Sequence, residues 1–198
     1  ETKVLPTETT SLSHEEQFAR TVQEGLSLEN KRLPSWLIFD SAGSEIFKDI
    51  TELAEYLPAA CEFEIIRNHK NSIAELITGD TFNLIELGSG DGCKTRIIIE
   101  HFLGRKFHFH YFPIDISSGA VENLVGSLEN DHQDTPLKVT GLIGDYFAGL
   151  NSIVQNSSKQ NLVLFLGVSL NNMDPPAARS FLENLNKALG PKDHLLIG

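Results

Sequence analysis

One stretch constrains the fold more than any other: Phe82–Glu100, FNLIELGSGDGCKTRIIIE. Phe82–Leu87 is a short apolar run carrying one acid. Gly79-Asp80 bound it upstream and glycines downstream, which reads as a buried strand. Gly88, Gly90 and Gly92 alternate with Ser89 and Asp91, so the backbone of this turn can approach a ligand closely. From Cys93 onward, Ile97, Ile98 and Leu103 return at roughly helical spacing, and a helix is expected just after the turn. Strand, glycine turn and helix start point backbone N–H groups outward, the usual geometry for nucleotide-like ligands.

Three ligand motifs compete for the turn. GSGDGCKT matches the phosphate-binding pattern G-x-x-x-x-G-K-[ST] everywhere except Cys93, whose Cβ would crowd a loop wrapped around phosphate. No later strand offers an obvious Mg²⁺-binding Asp. The dinucleotide pattern G-x-G-x-x-G fails at the same cysteine. What remains resembles the E-x-G-x-G-x-G turn of class I S-adenosylmethionine methyltransferases, with Glu86 ending the strand. A glycine turn without any ligand stays open as the alternative.

Charge narrows the partners. With a net charge of −11 and no basic stripe, the chain is not expected to bind a nucleic-acid backbone. No apolar run approaches the roughly 18 residues of a membrane span, so none is expected. The two cysteines, Cys61 and Cys93, show no metal spacing and fit a reduced cytoplasmic compartment. No metal is expected.

The order of elements gives the fold class. Glu1–Ser13 reads as a loose polar arm. His14–Leu28 follows as a helix, capped by Ser13 with Glu16 three residues on. Leu33–Gly43 is irregular. Ser44 is expected to cap a helix reaching Tyr56 that Pro58 stops, with Ile46, Phe47, Ile50 and Leu53 on one face. A second helix is expected over Glu62–Thr78, turning Ile65, Ile66, Ile73, Leu76 and Ile77 inward, with Gly79 closing it. From Phe82, strands and helices alternate: strands at Phe82–Leu87, Phe107–Asp115, Leu137–Ile143, Asn161–Gly167 and His194–Gly198, helices at Ser117–Leu128 and Asp174–Leu189. That alternation predicts an α/β fold, a Rossmann-like class I methyltransferase sheet cut short after its fifth strand, with an N-terminal helical segment. Two domains are expected. Residues 1–79 would form an arm and helical substrate-side segment, and 80–198 the S-adenosylmethionine-binding domain without its C-terminal part.

In such a sheet, ligands collect beyond the C-terminal ends of the strands, where the strand order reverses. Asp115 closes the second strand, where a carboxylate can accept both hydroxyls of a ribose. Asp145, in GDYF after the third strand, can accept from an adenine amino group while Tyr146 or Phe147 packs against the ring. Either acid alone reads as well as a helix cap. Two acids at successive strand ends, in step with the glycine turn, favour an adenosyl site. Lys94, in the first helical turn, opposes the helix dipole; a ligand carboxylate or Glu86 would balance it, and a solvated lysine is the alternative. Cys93 has no His/Asp companions and reads as a core or loop cysteine. His108 and His110 lack a third metal ligand and read as a half-polar edge of the second strand. Gly167-Val168-Ser169-Leu170-Asn171 begins like a nucleophile elbow but lacks its closing glycine.

Several strings together are similar to one family: FDSAGSEIFKDITELAEYLP, IELGSGDGCKT, FPIDIS, GDYF, LFLGVSLNN and ALGPKDHLLIG. Over roughly Leu33–Gly198 the chain resembles the histidine-specific S-adenosylmethionine methyltransferases, which include the ergothioneine-pathway enzyme that trimethylates the α-amino group of histidine. The resemblance implies that Glu86, Gly88, Gly90, Lys94, Asp115, Asp145 and Tyr146 surround S-adenosylmethionine. It places Tyr56, Asn172 and Phe39 toward the histidine substrate. Phe39 stands where the family usually has Tyr, so a hydroxyl is missing there. Family members continue well beyond Gly198, and the remaining substrate residues are expected in that continuation.

The activity implied is in-line methyl transfer to a neutral amine of a small molecule, without metal. The general base is not identified, and nothing bears on oligomeric state. Another amino acid or small amine as substrate, or a catalytically silent adenosyl-binding domain, are the alternatives.

Overall fold

A computed structural model of the chain describes residues 1–6, 13–38, 41–53, 55–79 and 81–198. The glycine-turn strand, β2 in chain order, spans Thr81–Leu87 and is buried from Phe82 to Leu87. Burial on both faces makes it central. It pairs in parallel with β3 (His108–Asp115) on one side and β6 (Gln160–Phe165) on the other. Beyond β3 lie the short β4 (Lys138–Val139) and β5 (Gly141–Ile143), and beyond β6 lies β7 (His194–Ile197). Every pairing is parallel, as the alternation of strands and helices predicts.

One edge was not anticipated. Thr2–Val4 forms β1, a strand parallel to β5, with Thr2 opposite Gly141 and Val4 opposite Ile143. The sheet order is therefore β1-β5-β3-β2-β6-β7, with β4 also on β3. The start of the expected loose arm is thus sheet, because Leu5 is buried and anchors it in the core around Ile85 and Ile114. The rest of that arm, residues 7–12, lies outside the described residues. β3 is interior rather than an edge. His110 lies with its ring 4.0 Å from that of Phe112 and bonds Thr140 at 2.9 Å, and burial pushes its pKa down to about 4.

Two apolar layers hold the sheet. On one face Phe82 and Leu84 pack with α4 (Cys93–Gly104) and α5 (Ser118–Asp131) through Ile98, Ile99, Phe102, Leu124 and Leu128. On the other, Ile85 and Leu87 meet α6 (Tyr146–Val154) and α7 (Pro175–Ala188) through Leu150, Ile153, Phe181 and Leu185. Each such buried side chain contributes about 1.5–3 kcal/mol. The short helix α6 was not foreseen, whereas the helix expected over Asp174–Leu189 is present as α7, with Asp174 as its cap and Pro175 at its start.

The N-terminal helices depart from the sequence reading in their bounds. α1 (His14–Ser27) does begin with the Ser13/Glu16 capping box. α2 runs over Ser41–Thr51, starting before Ser44 and ending well before Tyr56. α3 runs over Leu57–Glu75 and takes Pro58 into its first turn, where the missing N–H does no harm. Pro58 therefore starts a helix instead of stopping one. Ile66 and Ile73 face inward, but Ile65 is exposed and Glu62 is buried in its stead. Ile46, Phe47 and Ile50 of α2 are also exposed.

Candidate cofactor and substrate crevice

From β2 the chain builds outward to β3 and β5; from β6 it builds the other way, to β7. The reversal lies between β2 and β6, and open α/β sheets hold their ligands in a crevice beyond the C-terminal strand ends at such a point. After β2, Gly88 and Gly90 have φ of 75° and 50°, a region that L side chains rarely adopt. A Cβ on Gly88 would stand 2.9 Å from the Tyr146 hydroxyl, so residue 88 must be bare for Tyr146 to lie beside the turn. Above Gly90 there is open space.

Asp115 shapes this turn. One carboxylate oxygen accepts the Gly90 N–H at 3.0 Å and the other the Ser117 N–H at 3.0 Å. A carboxylate has about four acceptor positions, so lone pairs remain. Asp145 caps α6 with one oxygen, which accepts the N–H groups of Phe147 and Ala148 at 2.8 and 3.1 Å. Its cap role is therefore real, and the residue is exposed. Tyr146 follows, packed edge-on to Phe165 and Phe181. Burial, then the charges of Asp115 and Asp145, push its phenol up to about 12. The two acids and the ring thus share one neighbourhood, as their strand-end positions predict.

Glu86 is placed differently from the other cofactor candidates. It is buried under the turn, with one oxygen accepting from the Thr95 hydroxyl at 2.5 Å and the other from the Tyr111 hydroxyl. Desolvation raises its pKa to about 7 against the lowering effect of those two donors and of Lys94. Buried and with a hydroxyl on each oxygen, Glu86 ties β2 to β3 and α4.

Lys94 has a partner that the sequence reading missed. Its ammonium pairs with Glu62 of α3 at 2.5 Å, not with Glu86. Glu62 also accepts the Gly167 N–H. The available signal was positional: Glu62 and Ile66, four apart, share a face of α3, so an acid sits on the helix's inward stripe. Gly167 leads through Val168, a β-branched residue at φ 60°, into the 3-10 turn Ser169–Asn172. Asn172 is exposed there. Tyr56 stands at the N-cap of α3, edge-on to Phe47 at 6.2 Å. Phe39 lies outside the described residues.

The donor set fits S-adenosylmethionine. Two strand-end carboxylates with spare lone pairs suit ribose hydroxyls and an adenine amine, beside a ring that can flank the base. Lys94 has three N–H donors and gives one to Glu62, leaving others for a carboxylate. The open space over Gly90 leaves room for close backbone approach.

Comparison with known proteins places the chain in a family. The model of a family described as histidine-specific methyltransferase, SAM-dependent, matches residues 18–198. Histidine N-alpha-methyltransferase of Mycolicibacterium smegmatis is 31% identical over 183 residues, 92% of this chain and 55% of that protein. Ergothioneine biosynthesis protein 1 of Schizosaccharomyces pombe is 31% identical over 176 residues, 86% of this chain and 23% of that protein. The chain thus spans about half the length of the bacterial relative and less of the fungal one. Among solved structures, the CMeT domain of the citrinin polyketide synthase superposes with a TM-score of 0.53 at 17% identity, covering 92% of this chain and 46% of that one, a likeness of fold.

Proposed function

This chain belongs to the histidine-specific, S-adenosylmethionine-dependent methyltransferase family, and on that premise we propose that the protein methylates the α-amino nitrogen of histidine. The observation that carries the proposal is the convergence, inside the family-matched region, of Asp115, Asp145, Tyr146 and Lys94 around one glycine turn. S-adenosylmethionine, when bound, supplies an electrophilic methyl group on a sulfonium. Asp115 accepts from the ribose hydroxyls, Asp145 accepts from the adenine amine, and the Tyr146 ring flanks the base. Lys94 holds the carboxylate. Gly88 and Gly90 leave room, and Glu86 keeps the turn in shape from beneath.

On the substrate side, Tyr56 and Asn172 offer a phenol and an amide, which together can pair with a carboxylate and a ring nitrogen. Phe39, outside the described residues, is assigned to the substrate side on the family resemblance alone and has no hydroxyl to offer. The residues' work is orientation and exclusion of water from a neutral amine held in line. Residues 1–79, apart from β1, form the substrate-side segment in this reading, and 80–198 the cofactor domain. Among the described residues no helix is long and apolar enough to cross a membrane. A small-molecule substrate and a cytoplasmic location belong to the same proposal.

The test is a methyl-transfer assay of the complete protein across the amino acids, with Asn172→Ala in parallel. Histidine should be preferred, and the variant should lose about tenfold or more in kcat/KM for it. Binding of S-adenosylhomocysteine without turnover of any amino acid would leave only an adenosyl-binding domain. Turnover of another amine in preference would move the substrate assignment.

A further inference from the structure

Glu62 is outside every role assigned so far, yet it reaches both sides of the crevice. It is 8% exposed in α3. One oxygen meets the Lys94 ammonium at 2.5 Å, and both accept the Gly167 N–H, at 2.9 and 3.2 Å. The end of β7 closes over it, since a side chain at Gly198 would run into its carboxylate. A buried carboxylate is costly unless it is paired and hydrogen-bonded, and here it is both. The result is a joint between α3, the start of α4 and the turn after β6.

What the joint holds is informative. Gly167 has φ of 85° and Val168 of 60°. A β-branched residue in the left-handed region persists only where its surroundings over-determine it. That turn launches Ser169–Asn172. In the other direction along α3, Tyr56 caps the helix six residues before Glu62, about 9 Å along the axis. A single carboxylate therefore touches the lysine of the cofactor side, fixes the turn carrying Asn172 and shares a helix with Tyr56.

We propose that Glu62 is a positioning residue that couples the two ligands, so that a cofactor carboxylate at Lys94 and an amino acid at Asn172 bind in mutual support. This rests on the functional reading above. A carboxylate on the free donors of Lys94 pins the ammonium; the pinned ammonium fixes Glu62, and Glu62 fixes the Gly167 turn. The cost of ordering that turn is met before the amino acid arrives, which is positive cooperativity without a change of fold. No bond forms or breaks.

Two nucleosides separate this coupling from a plain structural role. S-adenosylhomocysteine carries the carboxylate, and 5′-methylthioadenosine lacks it. By calorimetry on the complete protein, histidine should bind about fivefold or more tightly in the presence of the first than of the second. Glu62→Gln, similar in size but uncharged, should erase that difference while still binding both nucleosides. Glu62→Asp keeps the charge but is too short to hold Lys94 and Gly167 together, so it should diminish the difference even if the Gln variant fails to fold. A structural Glu62 would lower thermal stability in these variants and leave the nucleoside dependence intact. Equal histidine affinity with both nucleosides in the unaltered protein overturns the coupling, as do variants that keep the difference. Failure of S-adenosylhomocysteine to bind the unaltered protein removes the functional reading itself, a distinct result.

Discussion

The hydroxyl of Tyr146 lies against the bare backbone of Gly88, 2.9 Å from where a Cβ would stand. Because φ at residue 88 is also 75°, Gly88→Ala meets a steric and a conformational penalty. It should lose about 1–3 kcal/mol of stability. Tyr146→Phe removes the clashing oxygen, so the double variant should recover part of that loss. Urea unfolding of the four proteins measures it, and strict additivity would show that the contact carries no energy.

Asp115 has a double task, since it accepts from Gly90 and Ser117 and keeps lone pairs toward the crevice. Asp115→Ala should weaken S-adenosylhomocysteine by about 1.5–3 kcal/mol, tenfold or more. Asp115→Asn should fall between, having one carbonyl oxygen for two backbone donors. Unchanged affinity in the Ala variant would remove Asp115 from the site.

Glu86 gives the stability a pH dependence. Its pKa is raised in the folded protein to about 7 from an ordinary 4.5, chiefly by burial. Between those values the folded state holds more protons than the unfolded one, so stability falls as pH rises. The stabilisation is fully present below about pH 4.5 and lost by about pH 7, a decline on the order of 3 kcal/mol from this group. Glu86→Gln should flatten the stability curve over that window. Parallel curves for the two proteins from pH 4.5 to 8 would contradict the assignment.

Val168 holds a left-handed conformation, φ 60°, that suits glycine. Val168→Gly should relieve strain and raise unfolding free energy by about 1 kcal/mol, net of the extra chain freedom. The looser turn should at the same time weaken histidine binding. A variant less stable than the parent would mean that the valine side chain contributes more by packing than its backbone costs.

The parts of this molecule readable from sequence are those where one local rule decides. The buried run into Gly88, the Ser13/Glu16 box and Asp174 before Pro175 needed no partner to be recognised. Asp115 and Asp145 could be located because strand ends and helix starts coincide there. Glu62 could not be assigned, because its meaning depends on Lys94 and Gly167, 32 and 105 residues away. Glu86 shows the reverse difficulty. Its place at the end of the strand is legible, but its bonds to the hydroxyls of Thr95 and Tyr111, on α4 and β3, depend on the fold. Pro58 misled as a stop because a proline ending one helix and one opening the next look alike until the first turn is seen.

The pairing of β1 with β5 bears on how the molecule assembles. Thr2 finds its place beside Gly141, a contact that spans most of the chain, so the loop it closes is among the most costly to form early. β1 has no template until β5 lies on β3, so it should dock last. Pulse-labelled hydrogen exchange during refolding should show the amide of Leu5, bonded to Ile143 at 2.9 Å, gaining protection after those of β2 and β6. The same edge should be the first to open under mild denaturant, leaving the central strands and their crevice in place.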